Sequence, residues 1–148
     1  MNGCKYIKDK YGINEEDIII THDGVRPFIN KRIIIDNIKV AKKYGAVNTV
    51  VTAIDTIVES IDGKEISAIP IRSNMYLCQT PQTFNMKKFI YIMNSLTEEE
   101  KNSLTDACKA FIIKGEKVEI VKGEYTNIKI TTKCDLEIAN TILKKTNN

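Results

Sequence analysis

An α/β fold with a mostly parallel sheet and helical crossovers is predicted by three features of the sequence. Two β-branched runs, Ile18-Ile19-Ile20 and Ala46 to Ile54, each end in polar residues. Between them lies an amphipathic stretch with helix signals at both ends. A continuous apolar run bounded by turn residues reads as a strand buried on both faces. Two strand-to-helix units in series then argue for parallel strands joined by helices.

Met1 to Glu16 reads as a helix to about Tyr11, with Gly12 just past its end. The strand at 18–20 runs into Thr21-His22-Asp23-Gly24 and then Arg26-Pro27. Asn30 can cap a helix over 31–44, with Ile34, Ile38 and Ala41 on one face, the lysines outward and Gly45 as the stop. Ala46 to Ile54 forms the second strand and ends in Asp55-Thr56. The crossover rhythm then breaks. Thr56 to Ser60, Asp62-Gly63 and Ile66 to Ile71 read as a β-hairpin, either a sheet extension or an arm to a partner subunit. Tyr76 to Phe84 contains Thr80-Pro81, which disfavours a helix there. A helix follows over about 86–94. Thr97 and Glu100 form a capping box for a short helix, and Thr105 can cap another over 106–114, closed by Gly115. Val118 to Val121 and Asn127 to Thr131 read as strands, and Thr132 with Asp135 caps a last helix to about Lys144.

The 148 residues fit one domain, 1–148, with 43% hydrophobic and 28% charged residues. A net charge of +3, spread along the chain, argues against a nucleic-acid partner. Neither a signal peptide nor a long apolar run is present, so no membrane partner is expected and a cytoplasmic location is. The four cysteines have no C-x-x-C spacing and there is one histidine, which argues against zinc and for reduced thiols.

Ligands of open α/β sheets sit outside the carboxyl ends of the strands, which singles out His22, Asp23 and Arg26. Lys129 precedes a capped helix start, where free N–H groups would add to its charge. Arg72 follows the hairpin and suits bidentate phosphate contact. Asp23 is a hard oxygen ligand of the kind magnesium takes beside substrate phosphates, although one aspartate does not select that metal. Together these residues suggest phosphoryl chemistry on a small phosphorylated substrate. The seven glycines never cluster, so no backbone cradle for a triphosphate is expected within these residues.

Thr21-His22-Asp23-Gly24-Val25-Arg26-Pro27, Asp55-Thr56, Gln79-Thr80-Pro81-Gln82-Thr83-Phe84, Thr105-Asp106-Ala107 and Asn127-Ile128-Lys129-Ile130-Thr131 occur in an order that resembles the sugar-alcohol-phosphate cytidylyltransferases. That family includes the 2-C-methyl-D-erythritol 4-phosphate and ribitol 5-phosphate enzymes. Thr105 to Lys109, Phe28-Ile29 and Asn74-Met75-Tyr76 look like the ribitol branch, whereas Ser73 departs from it. The resemblance implies a three-layer Rossmann-like domain and cytidylyl transfer from CTP to a polyol phosphate, with pyrophosphate released and magnesium as cofactor. The expected product is CDP-ribitol, a teichoic acid precursor; the alternative is the methylerythritol reaction of isoprenoid synthesis, or a silent remnant that binds phosphopolyol or only dimerises.

By resemblance, Asp23 would stand near the metal and the CTP phosphates. Thr56, Arg72 and Lys129 would hold the polyol phosphate, with Lys129 also offsetting charge on the reacting phosphate. Arg26, Thr105 and Asp106 would line the polyol, and the 57–71 hairpin would be the arm that interlocks a homodimer. Relatives begin with a strand and a glycine-rich loop bearing a catalytic arginine and lysine, absent from these residues. The expectation is therefore a carboxyl-terminal part, lacking the amino-terminal nucleotide-binding strands and inactive by itself.

Overall fold

Of the two β-branched runs, 46–52 is buried along nearly its whole length, whereas 18–21 is only half-buried and leaves Ile20 exposed. The computed structural model describes residues 2–146. Its sheet comprises β1 (Ile18–Thr21), β2 (Ala46–Thr52), β3 (Tyr76–Asn85) and β4 (Glu119–Lys122), in the order β1-β3-β2-β4. β3 runs antiparallel to β1 and β2, and β4 runs parallel to β2. The fold is α/β as expected, but the sheet is mixed: three strands share a direction and β3 opposes them. The reason lies at residues 53–75. The Ala53 N–H donates to the Met75 carbonyl at 3.0 Å, so the excursion closes at its own neck and returns the chain antiparallel, without a crossover helix.

Six helices flank the sheet among the described residues: α1 (Asn2–Tyr11), α2 (Lys31–Tyr44), α3 (Met86–Ser95), α4 (Glu98–Asn102), α5 (Ala107–Ile113) and α6 (Lys133–Thr146). Met1, the expected start of α1, lies outside those residues. α2 has the expected limits because both end signals operate. The Asn30 side chain accepts from the Ile33 N–H, and Gly45 takes φ +88° while donating to the Ala41 carbonyl. The Thr97–Glu100 capping box forms around α4. α5 departs by one residue, since Asp106 rather than Thr105 accepts from the Lys109 N–H. A carboxylate at this position also suits the positive end of the helix.

Two cores follow from the alternation along the strands. Phe84 and Ala46 face α3 and α5, where Phe84 and Phe111 stack with centroids 4.7 Å apart beside Phe89 and Ile92. Val47 and Val121 face α2 and pack on Ala41. The buried stripe of α2 is Ile33, Asn37 and Ala41, which shares Ala41 with the expected Ile34, Ile38 and Ala41 and differs by one position at the other two. Asn37 explains the rotation. Its Nδ2 donates to the Ile33 carbonyl and, at 2.8 Å, to Thr49 Oγ1; the Thr83 hydroxyl donates to its Oδ1. Thr49 in turn donates to the Pro81 carbonyl at 2.7 Å. The centre of the helix therefore meets hydroxyls on β2 and β3, and an asparagine satisfies both.

Two expected β-elements do not form as ladders. The 57–71 hairpin has one antiparallel bridge, Glu59 to Ala68, with the Asp62 carboxylate accepting from the Lys64 and Glu65 N–H groups at its tip. Asn127 to Thr131 is not a strand. The Ile130 N–H donates to the Val25 carbonyl, so the segment is tied to a loop at the strand ends rather than to a sheet edge.

Asn37→Ala should leave the Thr83 hydroxyl without its buried acceptor, while Thr49 loses a donor and keeps the Pro81 carbonyl. The expected loss is about 1–3 kcal/mol, read as a lower urea midpoint with an unchanged slope; an unchanged midpoint would contradict the role given to Asn37.

Candidate functional site

The carboxyl ends of β1, β2 and β4 face the same way, and the amino-terminal half of β3 joins them there. β1 delivers Asp23 through Thr21, whose hydroxyl donates to the Gln82 carbonyl on β3. Residues 23–26 then turn, with the Arg26 N–H donating to the Asp23 carbonyl at 3.0 Å. The turn folds both side chains together, and Arg26 Nε donates to Asp23 Oδ2 at 3.1 Å. Lys129 Nζ lies 3.3 Å from the same oxygen. The structure thus brings three expected residues, Asp23, Arg26 and Lys129, into one cluster of one carboxylate and two cations.

What holds the cluster is Asn127, which is fully buried. Its carbonyl accepts from Arg26 Nη1 at 2.7 Å. Its Nδ2 donates to the Thr80 carbonyl at 2.9 Å and to Gln79 Oε1 at 3.3 Å. Gln79 reaches on to the Glu124 carbonyl. Gly123 is required beside it, because a Cβ there would lie 2.3 Å from Gln79 Oε1 and 2.9 Å from Thr49 Cγ2. Asn127 Oδ1 is buried without a hydrogen-bond partner, an exception to the usual pairing of buried polar atoms. Sequence reasoning quoted Gln79, Thr80 and Asn127 as motif residues and missed their positioning role, and it treated Gly123 as one scattered glycine.

The electrostatics favour an anion. Partial burial opposes ionisation of Asp23, but Arg26 and Lys129 outweigh it and hold the carboxyl below its usual range. Arg26 is nearly buried, whereas the Lys129 side chain is half exposed and, among the described residues, pairs with Asp23 alone. The helix N-terminus expected to help Lys129 is occupied, however. Asp135 Oδ2 accepts from the Thr131 and Thr132 N–H groups, and these bonds hold its carboxyl low.

The other expected residues stand apart from the cluster. Thr56 and Arg72 lie on the arm, both exposed, and Arg72 Nη1 donates to the Ile54 carbonyl. Thr105 and Asp106 border a separate open cavity of about 520 Å³, with Asn48, Tyr76 and Cys78. None of the four makes a hydrogen bond or ion pair with Asp23, Arg26 or Lys129 within one chain. A cavity of about 640 Å³ lies next to the strand ends, lined by Val51, Thr52, Tyr76, Lys122 and Tyr125. Burial, and secondarily Asp106, pushes the Cys108 thiol far up, so it is no nucleophile. As a metal ligand Asp23 stands alone: no group of three or more His, Cys, Asp or Glu side chains gathers among the described residues. Oδ2 is taken by the two cations, which leaves Oδ1 as the oxygen of Asp23 not engaged by them. No helix among the described residues is long and apolar enough to cross a membrane.

Known proteins carry the same architecture. A 4-diphosphocytidyl-2C-methyl-D-erythritol synthase from Anaerococcus prevotii superposes with TM-score 0.79 and 32% identity, over 97% of this chain and 61% of that one. The 2-C-methyl-D-erythritol 4-phosphate cytidylyltransferase of Francisella tularensis gives 0.81 and 26%, over 93% and 64%. That of Thermus thermophilus gives 0.74 and 26%, over 86% and 62%. The chain thus spans between 61% and 64% of the length of these three structures. The matches side with the methylerythritol branch and not with the ribitol branch expected from residues 105–109. The model of the 2-C-methyl-D-erythritol 4-phosphate cytidylyltransferase family matches residues 6–145, and this chain belongs to that family.

Proposed function

We propose that this chain forms the polyol-phosphate half of an enzyme that moves a cytidylyl group from CTP to 2-C-methyl-D-erythritol 4-phosphate. The observation that carries the reading is the Asp23–Arg26–Lys129 cluster, braced by Asn127 at the carboxyl ends of the strands. A 4-phosphate oxygen attacks the α-phosphorus of CTP, the bond to the bridging oxygen breaks, and pyrophosphate leaves. The phosphate is already an anion, so the step needs no base. Lys129 draws the phosphate in and offsets charge in the transition state, while Arg26 and Asp23 orient the polyol hydroxyls. Magnesium, held by Asp23 Oδ1 together with the CTP phosphates, would neutralise triphosphate charge.

Thr56 and Arg72 cannot join this cluster through any contact within one chain. The arm that carries them exposes Val58, Ile61, Ile66, Ile69 and Ile71, an apolar surface suited to a second copy of the chain. We assign the 57–71 arm to a homodimer in which it brings Thr56 and Arg72 to a phosphate. A ribitol 5-phosphate substrate is the second reading, and it rests on Thr105 to Lys109, Phe28-Ile29 and Asn74-Met75-Tyr76.

Four outcomes test this. Residues 1–148 alone, with CTP, magnesium and either polyol phosphate, should release no pyrophosphate above background, because scattered glycines cannot wrap a triphosphate. In an enzyme that also carries the glycine-rich loop of the relatives, methylerythritol phosphate should outpace ribitol phosphate. There Lys129→Ala should lower turnover by about 10²–10³ with an unchanged melting temperature; near-normal kinetics would leave Lys129 a surface charge. Deleting residues 61–66 should convert a sedimenting dimer to a monomer, and a persistent dimer would move the interface elsewhere.

A further inference from the structure

The single histidine of the chain, His22, is exposed, touches neither Arg26 Nη1 nor Lys129, and has no part in the reaction just described. Its ring nevertheless has both nitrogens engaged. Nε2 lies 3.0 Å from the Arg26 carbonyl, four residues on. Nδ1 lies 3.0 Å from Thr80 Oγ1 on β3. The Asp23 N–H donates to that same Thr80 oxygen, also at 3.0 Å.

These partners fix the protons. A carbonyl can only accept, so Nε2 carries the hydrogen. In the neutral ring Nδ1 is then a lone pair, and the Thr80 hydroxyl must donate to it. The Thr80 oxygen has its lone pairs left and takes the Asp23 N–H with one of them. The result is a one-way circuit: Asp23 N–H to Thr80, Thr80 O–H to His22, His22 Nε2–H to the Arg26 carbonyl. The opposite tautomer would set the Nε2 lone pair against the carbonyl oxygen at 3.0 Å, which is repulsive. The circuit joins the first and last residues of the turn that bears Asp23 and Arg26, and it fastens that turn to β3.

The geometry points to His22 as a positioning residue, held in the Nε2–H tautomer, which clamps the Asp23–Arg26 turn to Thr80 and so sets the carboxylate against the guanidinium. It acts through the turn and not on substrate. A further consequence concerns Thr80. With its proton committed to His22, it can accept from a neighbouring group but cannot donate to one.

One histidine means one ring to observe. Nitrogen-15 NMR of residues 1–148, uniformly labelled and at a pH where the ring is neutral, should give Nε2 as the protonated nitrogen and Nδ1 as the unprotonated one. A protonated Nδ1, or shifts averaged between tautomers, overturns the proposal. The Arg26 Nε–H, sheltered by Asp23 Oδ2, gives the second readout. It should be visible in the parent chain and in His22→Gln, whose amide can still donate to the Arg26 carbonyl. It should be lost to solvent exchange in His22→Ala, with no change in melting temperature. Persistence of the signal in His22→Ala overturns the proposal even if the tautomer is as assigned.

A third arm rests on the proposed function. Binding of 2-C-methyl-D-erythritol 4-phosphate by calorimetry should weaken about 10–100-fold in His22→Ala, as expected when oriented groups are misplaced, and recover in part in His22→Gln. Unweakened binding in His22→Ala overturns the proposal. A parent chain that binds no polyol phosphate would count against the proposed function, while the ring tautomer and the Arg26 signal would still decide the role of His22.

Discussion

One buried side chain, Asn127, determines whether this molecule has a site at all. Lys129 sits in a segment with no strand partner, and Arg26 lies in a turn after β1. Neither would have a fixed place through its own element. Asn127 joins them through backbone and side chain together: its backbone carbonyl accepts from the Arg26 guanidinium, and its side-chain Nδ2 donates to Thr80 and Gln79 on β3. The bonds are internal and dry, where a lost partner costs about 1–3 kcal/mol. An extended segment that would otherwise fray is thereby held at the strand ends, and the lysine two residues on is carried into range of Asp23. The requirement for glycine at 123 belongs to the same constraint, since only a hydrogen in place of a Cβ leaves room for Gln79 to reach.

Charge then does what packing has prepared. Asp23 alone in this partly buried place would resist ionisation, and the two cations reverse that. Such a pair in a half-exposed setting adds little to stability, about 0–1 kcal/mol. Its value is geometric. A carboxylate that anchors Arg26 and Lys129 through one oxygen holds both cations side by side at the strand ends. As pH falls through the lowered pKa of Asp23 that anchor is lost, so the small stability it adds is present above the unfolded carboxyl pKa of about 4 and fades below it. Positioning at the acidic end thus has an electrostatic floor set by the same ion pair.

The sequence made the local parts legible and the long-range parts much less so. α2 could be bounded because Asn30 and Gly45 act on their own neighbours, and the Thr97–Glu100 box does likewise. Asp23 and Arg26 were recognisable because polar residues directly after an apolar strand have few structural reasons to be there. Asn127 and Gly123 were not, because their partners lie 44 to 101 residues away in sequence and leave no periodic trace. The same limit explains β3. Its residues announce a strand, but its direction is set by the closed neck between Ala53 and Met75, a contact no local pattern encodes. Asn37 shifted the α2 stripe by one position for the same reason: a polar residue at the centre of a buried face makes sense only once Thr49 and Thr83 are opposite it.

The choice between two polyol phosphates turns on a similar distinction. Of the residues that suggested ribitol, Asp106, Cys108 and Lys109 have structural duties in this fold. Asp106 spends its carboxylate on the α5 cap, and the Lys109 N–H is the group it caps. Cys108 is buried in the aromatic core. A stretch constrained by capping and core packing reports how a helix starts and what it packs against, and says little about a hydroxyl more or less on a substrate. A group that can meet a ligand needs hydrogen-bonding capacity left over and facing open space. The half-exposed ammonium of Lys129 has it at the strand ends, and the exposed Thr105 has it at the rim of the cavity of about 520 Å³. Residues 106–109, tied up in the cap and the core, are therefore poor markers of what such groups would bind.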